Sequence, residues 1–228
     1  MDWKFIVKEQ SNRNEVERLQ NWLLPEYDHG FWNGLTPAGN LYPGPVGDWC
    51  DHHSKKWFYH IKGDNIAIQA GGAIGMYPRL LAQKFKLVYT FEPHPVSFHC
   101  LNINCSRVDH ILKYQAVLGN KNDIVPIACD PVNYGQTQVD EFGPHLPFIP
   151  MFTIDSFKFK YPVDLIALDV EGYEYQALLG AKKTIKKFHP TIIAENSDDD
   201  RFRELLVGYK LVDKSVLDSI WVYDQNSS

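Results

Sequence analysis

Two apolar runs, Ile66-Ala67-Ile68 and Leu87-Val88-Tyr89, flank a glycine-rich turn, and a carboxylate follows the second run. No other stretch limits the possible folds as sharply. The first run leads through Gln69 and Ala70 into Gly71-Gly72-Ala73-Ile74-Gly75, and the second through Thr90 and Phe91 into Glu92-Pro93. Successive apolar residues suit strands covered on both faces, as in a parallel sheet. Gly71 and Gly72 permit a tight turn, and Gly75 lets the following helix pack close to the strand. Glu92 lies about 20 residues beyond the turn, the usual distance for an acid that accepts hydrogen bonds from ribose hydroxyls. The plainer reading is a βαβ unit that holds no ligand.

The turn narrows the choice of ligand. Counting from Gly71, the third position is Ala73 and the sixth Met76, so the dinucleotide pattern Gly-x-Gly-x-x-Gly is missing. That counts against a pyrophosphate on the helix N-terminus. No Gly-Lys-Ser/Thr follows the turn, so a nucleoside-triphosphate loop is missing too. A looser glycine turn with a downstream acid suits a nucleoside without phosphates, and S-adenosyl-L-methionine is the commonest ligand of that kind.

A second set of motifs stands further along. Asp164–Glu174 reads Asp-Leu-Ile-Ala-Leu-Asp-Val-Glu-Gly-Tyr-Glu, a buried strand ending at Asp169 and followed by Glu171, Gly172 and Glu174. Upstream is Thr153-Ile-Asp155, and downstream are Leu179-Gly-Ala181 and a strand, Thr191-Ile-Ile-Ala-Glu195. Together with the glycine turn and Phe91-Glu92-Pro93, these elements resemble, in order, the FkbM-type family of S-adenosylmethionine-dependent methyltransferases over roughly residues 63 to 196. The resemblance implies a Rossmann-like methyltransferase fold, α/β in three layers, with a mostly parallel seven-stranded sheet and one antiparallel strand near the C-terminus. It also implies O-methylation, with sugars or other small hydroxyl-bearing molecules as acceptors.

On that reading the cofactor site comprises Gln69, Ala70, Gly71, Gly72, Gly75, Met76, Glu92, Pro93 and Asp169. Ligands of open α/β sheets bind at the carboxyl ends of strands where the strand order reverses, and Gly71, Glu92 and Asp169 each follow a strand. Asp169 and Glu171 are the candidate catalytic carboxylates. Residues two apart in an extended segment face the same way, and paired carboxylates raise one pKa, which suits a general base. The competing reading makes Glu171 or Glu174 a cap of the next helix. Asp155 reads as a turn or packing residue. His52, His53 and Glu195 are candidates for the acceptor side. No metal is assigned: adjacent histidines in an extended segment point to opposite faces, which weakens shared coordination.

The chain departs from the family at Gln69, where relatives usually carry Asp, at Ala73, where they carry Asn, and at Ala167, where many carry Lys. Glutamine hydrogen-bonds but brings no charge to an ammonium group. Three outcomes follow: weaker cofactor binding, a larger share for Asp169, or a non-catalytic module that keeps the fold. Methylation of a nucleic acid or protein is the rival enzyme reading.

Among the 228 residues, 44% are hydrophobic and 22% charged, the balance of a globular chain with one large core. The net charge of -5 argues against broad nucleic-acid binding. No apolar stretch reaches the roughly 18 residues of a membrane span. Cys50, Cys100, Cys105 and Cys129 show no Cys-x-x-Cys spacing, which suits reduced thiols in a cytoplasm. Lys182, Lys183, Lys186 and Lys187 read as the solvated face of a helix.

Residues 1–62 read as an aromatic-rich extension, with Trp3, Trp22, Trp32, Trp49 and Trp57, and 63–228 as the cofactor-binding core. Within the extension a helix is expected over Glu15–Leu24, a loop over Tyr27–Trp49 and an edge strand over Lys55–Ile61. In the core, helices are expected at Gly75–Phe85, Val96–Asn104, Tyr173–Leu179 with a continuation to about Lys187, and Asp200–Val207. Strands are expected at Ile66–Ala70, Leu87–Phe91, Tyr114–Leu118, Leu165–Asp169 and Thr191–Glu195, with a closing pair at Tyr209–Val212 and Ile220–Tyr223. Asn120–Pro150 reads as loop with one short strand at Ile124–Cys129.

Overall fold

The computed structural model describes residues 5–9, 21–25, 55–130, 133–140, 147–214 and 218–224. Strands β1 (Phe5–Glu9) and β2 (Asn21–Pro25) pair antiparallel. Next come β3 (Ile66–Ala70), β4 (Leu87–Phe91) and β5 (Ile111–Tyr114), and then β6 (Val117–Leu118), β7 (Asp123–Ala128), β8 (Gln138–Val139) and β9 (Phe148–Phe152). The chain closes with β10 (Val163–Leu168), β11 (Thr191–Glu195), β12 (Tyr209–Lys214) and β13 (Asp218–Tyr223).

The main sheet has seven strands in the order β12-β13-β11-β10-β3-β4-β5. All neighbours from β11 to β5 are parallel, while β13 runs antiparallel to both β11 and β12. The expected architecture, a mostly parallel sheet with one antiparallel strand, is therefore present. Successive residues of the central strands feed opposite cores. Ile66, Ile68 and Ala70 of β3 join one apolar cluster with Ile166, Leu168, Ile192 and Ala194, and Ala67 joins the other with Leu165, Ala167 and Ile193. Burial on both faces explains why these strands read as continuous apolar runs. Chain order turns back between β3 and β10, so the switch point lies between the glycine turn and Asp169.

Several expectations need correction. Residues 55–60 are helical rather than an edge strand. Trp57 and Ile61 are buried while Tyr59 is exposed, and that i, i+4 spacing is a helical stripe. Of the expected helix Glu15–Leu24, residues 21–24 belong to strand β2, where Trp22 is buried; 15–20 lie outside the described residues, as does most of the expected loop Tyr27–Trp49.

The strand expected at Tyr114–Leu118 divides in two. Ile111–Tyr114 completes the main sheet, and Val117–Leu118 begins a second, four-stranded sheet, β6-β9-β7-β8. Within Asn120–Pro150 the expected short strand is present as β7, and β8 and the start of β9 are strands where loop was expected; residues 131–132 and 141–146 lie outside the described residues. Pro126 and Pro150 lie in β7 and β9 outside the registers with β8 and β6, and Pro126 still accepts from Asp140 N (3.0 Å), a role that needs no N–H.

The expected helix Tyr173–Leu179 and its continuation are present as Glu174–Leu179 and Lys182–Phe188, with a break between them. Asp155 holds the break. Its N–H donates to Gly180 C=O (2.9 Å), and its carboxylate accepts from Lys183 N, Thr184 N and Thr184 Oγ1 (2.8–2.9 Å). Asp155 is thus a structural cap, as its place in a turn suggested.

No helix among the described residues is long and apolar enough to cross a membrane.

Candidate active site

The glycine turn is closed by its own backbone. Gly71 N and Gly72 N both donate to Phe91 C=O (3.0 and 2.9 Å), and Gly75 N donates to Gly72 C=O (2.8 Å). Gly71 has φ +84°, and a Cβ added there would lie 1.9 Å from the Asp169 carbonyl oxygen. Asp169 N in turn donates to Ala70 C=O (3.1 Å), so the tips of β3 and β10 meet at this point. Only glycine meets both demands, the left-handed backbone and the missing side chain.

Glu92 is buried at the tip of β4. Its Oε2 accepts from Ala73 N and its Oε1 from His94 N, each at 2.7 Å. Burial pushes its pKa up to about 7, against the pull of those two bonds. Each carboxylate oxygen accepts more than one hydrogen bond, so Glu92 both shapes the turn and keeps acceptor capacity. Ala73 has φ +47°, a conformation that Asn, the usual family residue there, adopts more readily than Ala.

Gln69 is buried and already engaged. Its Oε1 accepts from Thr90 Oγ1 (2.6 Å) and its Nε2 donates to Ala70 C=O (3.1 Å). Gly75 caps helix Met76–Leu81, and Met76 packs beside the cluster of Trp22, Ile74, Leu80 and Cys100. After half-buried Pro93, His94 starts helix Pro95–Asn104, its Nδ1 accepting from Ser97 N (3.3 Å), and it stacks on Tyr134 at 4.2 Å. Burial holds its imidazole near a pKa of about 4, hence neutral at pH 7.

Across the switch point the chemistry changes. Asp169 follows β10 and Glu195 ends β11; the pairing of Leu168 with Ala194 carries these two to adjacent positions. Glu171 sits at φ +54° in the turn after β10. One carboxylate oxygen each from Asp169, Glu171 and Glu195 lies within 4.8 Å of the others. Asp169 is open to the rim yet has protein around most of it. This crowding, followed by the charges of Glu195, Glu171, Asp218 and Glu174, raises its pKa to about 8. Glu171 and Glu195 are raised by burial first and then by neighbouring carboxylates. Among the described residues no Lys, Arg or His forms an ion pair with any of the three; Lys56, for example, pairs with Asp213. Such a set has the chemistry of a general base, and also that of a ligand group for a hard divalent cation.

Glu174 belongs elsewhere. It is buried, and its Oε1 accepts from Val170 N (2.9 Å) and Gly172 N (3.4 Å), which folds the turn that presents Glu171.

Asp218 is the rim residue that sequence reasoning missed. It pairs in register with Glu195 and is raised mainly by burial. An antiparallel strand starts at the rim where its parallel neighbours end, so extending the expected strand Ile220–Tyr223 back by two residues reveals it. His52 and His53 lie outside the described residues.

This arrangement of turn, acid tips and strand order agrees with the family comparison. The model of the methyltransferase FkbM domain matches residues 69–213. The chain belongs to the FkbM methyltransferase family. Its cofactor is S-adenosyl-L-methionine, and the residues present fit that molecule. The turn leaves no room for a side chain at Gly71, and the acid beside it keeps acceptor capacity for a ribose.

Among solved structures, an FkbM methyltransferase from Methylobacillus flagellatus is 16% identical at a TM-score of 0.50, covering 84% of this chain and 48% of that one. The FkbM chain described here therefore spans about half the length of that relative. An S-adenosylmethionine-dependent O-methyltransferase from Thermotoga maritima is 12% identical (TM-score 0.45; 81% and 66% covered). A putative RNA methyltransferase from Pyrococcus horikoshii is also 12% identical (TM-score 0.43; 82% and 86% covered). At 16% identity the likeness to the Methylobacillus protein is one of fold. The curated proteins contain no match to this FkbM chain.

Proposed function

We propose that this protein transfers a methyl group from S-adenosyl-L-methionine to a hydroxyl of a small, neutral acceptor such as a sugar, with Asp169 as general base. When bound, the cofactor would supply an electrophilic methyl on a sulfonium, with S-adenosylhomocysteine as the leaving group. Glu92 and the Gly71–Gly75 turn would hold its adenosyl end. Asp169 takes the acceptor's hydroxyl proton onto its carboxylate, and Glu171 and Glu195 receive hydrogen bonds from neighbouring hydroxyls.

The observation that carries this reading is the convergence of Asp169, Glu171 and Glu195 beside the switch point, without a paired cation among the described residues. A carboxylate whose pKa is raised toward the working pH is matched to proton transfer, which typically contributes about 10²–10⁴-fold. Alignment of acceptor and methyl adds to this. The same charges oppose an acceptor bearing phosphates, so an RNA substrate would meet repulsion at this rim.

The test is transfer of a labelled methyl group to a panel of neutral sugars, sugar phosphates, amines and RNA. Labelling of neutral hydroxyl acceptors is expected. Labelling confined to RNA or amines would overturn the acceptor assignment, and cofactor binding without transfer to any member would favour a non-catalytic module.

A further inference from the structure

Strand β2 lies along helix Pro95–Asn104, and the last residue of that helix grips it. Asn104 Oδ1 accepts from Leu23 N (2.8 Å), and Asn104 Nδ2 donates to Leu23 C=O (3.0 Å). One side-chain amide thus imitates the pair of bonds that an antiparallel neighbour would make. The same Nδ2 also donates to Ile74 C=O (2.8 Å), inside the glycine turn. Both amide hydrogens and the amide oxygen are therefore committed, and they join two segments about 50 residues apart in the chain.

Apolar packing repeats the link. Trp22 is 1% exposed and shares a cluster with Ile74, Leu80 and Cys100. Arg79 completes the joint: its guanidinium lies 5.0 Å from the Trp22 ring centroid, and its Nη1 donates to Asn104 C=O (3.3 Å).

Ile74 follows Ala73, whose N–H donates to Glu92, and precedes Gly75, whose N–H closes the turn on Gly72. The residue that Asn104 holds is thus next in the chain to the one that bonds Glu92.

We propose that Asn104 is a positioning residue for the cofactor turn, and that docking of the N-terminal hairpin and binding of S-adenosylmethionine reinforce each other through it. The inference rests on the turn and Glu92 forming the cofactor site. A ligand that orders the turn favours the docked hairpin, and by linkage the docked hairpin favours the ligand to the same extent. No other amino acid supplies the same set of donors and acceptor at this reach. Asp removes both donors, and Leu keeps the approximate volume while removing all three bonds.

Hydrogen exchange of the full chain, with and without S-adenosylhomocysteine, tests the coupling. In the wild type the ligand is expected to slow exchange at Leu23. In Asn104→Leu the ligand-free protein is expected to exchange faster at Leu23, Ala73 and Gly75, with β10 and β11 unchanged, and to bind the ligand about 5- to 20-fold more weakly. At saturating cofactor kcat is expected to stay near the wild-type value while the KM for cofactor rises.

Equal Leu23 exchange with and without bound ligand would overturn the proposal, as would unchanged turn exchange in the variant. If the wild type binds no ligand, the cofactor assignment fails, and ligand-free exchange at Ala73 and Gly75 decides the coupling alone. Should Asn104→Leu not fold, Trp22→Phe replaces it. Faster exchange at both Leu23 and the turn supports the link, and a change at Leu23 alone refutes it.

Discussion

On the β3–β4 side of the rim, Glu92 is buried with both oxygens held by backbone N–H groups. On the β10–β11–β13 side, Asp169, Glu171, Glu195 and Asp218 crowd together and raise one another's pKa or are raised by burial. The first half is a shaped socket whose polar groups are largely satisfied before a ligand arrives. The second is a charged edge whose cost is relieved when protons, hydroxyls or a cation come to it. Pre-shaping suits recognition of one fixed molecule, whereas an unrelieved edge suits proton transfer.

The sharpest way to break this contrast is at the glycines. Gly71→Ala would push a Cβ against the Asp169 carbonyl at φ +84°, and a loss of about 3–5 kcal/mol in urea unfolding is expected. A loss under about 1 kcal/mol would mean that the socket is not rigid.

Asp169→Asn comes next. It removes the base while relieving repulsion, so turnover should fall about 10²–10³-fold with thermal stability unchanged or higher. A parallel loss of stability would recast Asp169 as structural.

Glu92→Gln sets an amide donor against Ala73 N–H or His94 N–H, and binding of S-adenosylhomocysteine should weaken by about 1.5–3 kcal/mol in calorimetry. The smallest effect is expected at Gly172, where φ is +92° but nothing lies within 4 Å of an added Cβ. There Gly172→Ala should cost about 1 kcal/mol of strain without a clash.

The part of the fold built by unbroken apolar runs was legible in the sequence. The limits of β3, β4 and β11 match expectation because such runs end abruptly at Gly71, Glu92 and Asn196. Legibility failed where tertiary context overrides local signals. Pro150 reads as loop because the sequence does not reveal that its strand is one-sided at that point. Trp57 alternates plausibly as a strand residue until its partner, Tyr77 in a ring stack at 4.7 Å, is seen.

At the site, the motif carboxylates were found but their division of labour was not. Glu174 looks like Glu171 on paper, and only the bonds to Val170 N and Gly172 N separate a turn-former from a rim residue. Gln69 was read as a cofactor contact, and its commitment to Thr90 and Ala70 depends on a neighbouring strand.

The socket itself is tested most directly by calorimetry of S-adenosylhomocysteine binding at pH 6 and pH 8, in buffers of different ionisation enthalpy. Glu92, raised from 4.5 to about 7, holds more protons folded than unfolded between those values, so its ionisation costs stability as pH rises through that window. Ribose hydroxyls favour the ionised form, so binding at pH 6 should release a proton and be weaker than at pH 8, and Glu92→Gln should abolish the difference. Absence of binding at millimolar ligand, or binding with no proton release at pH 6 in the wild type, would contradict the account.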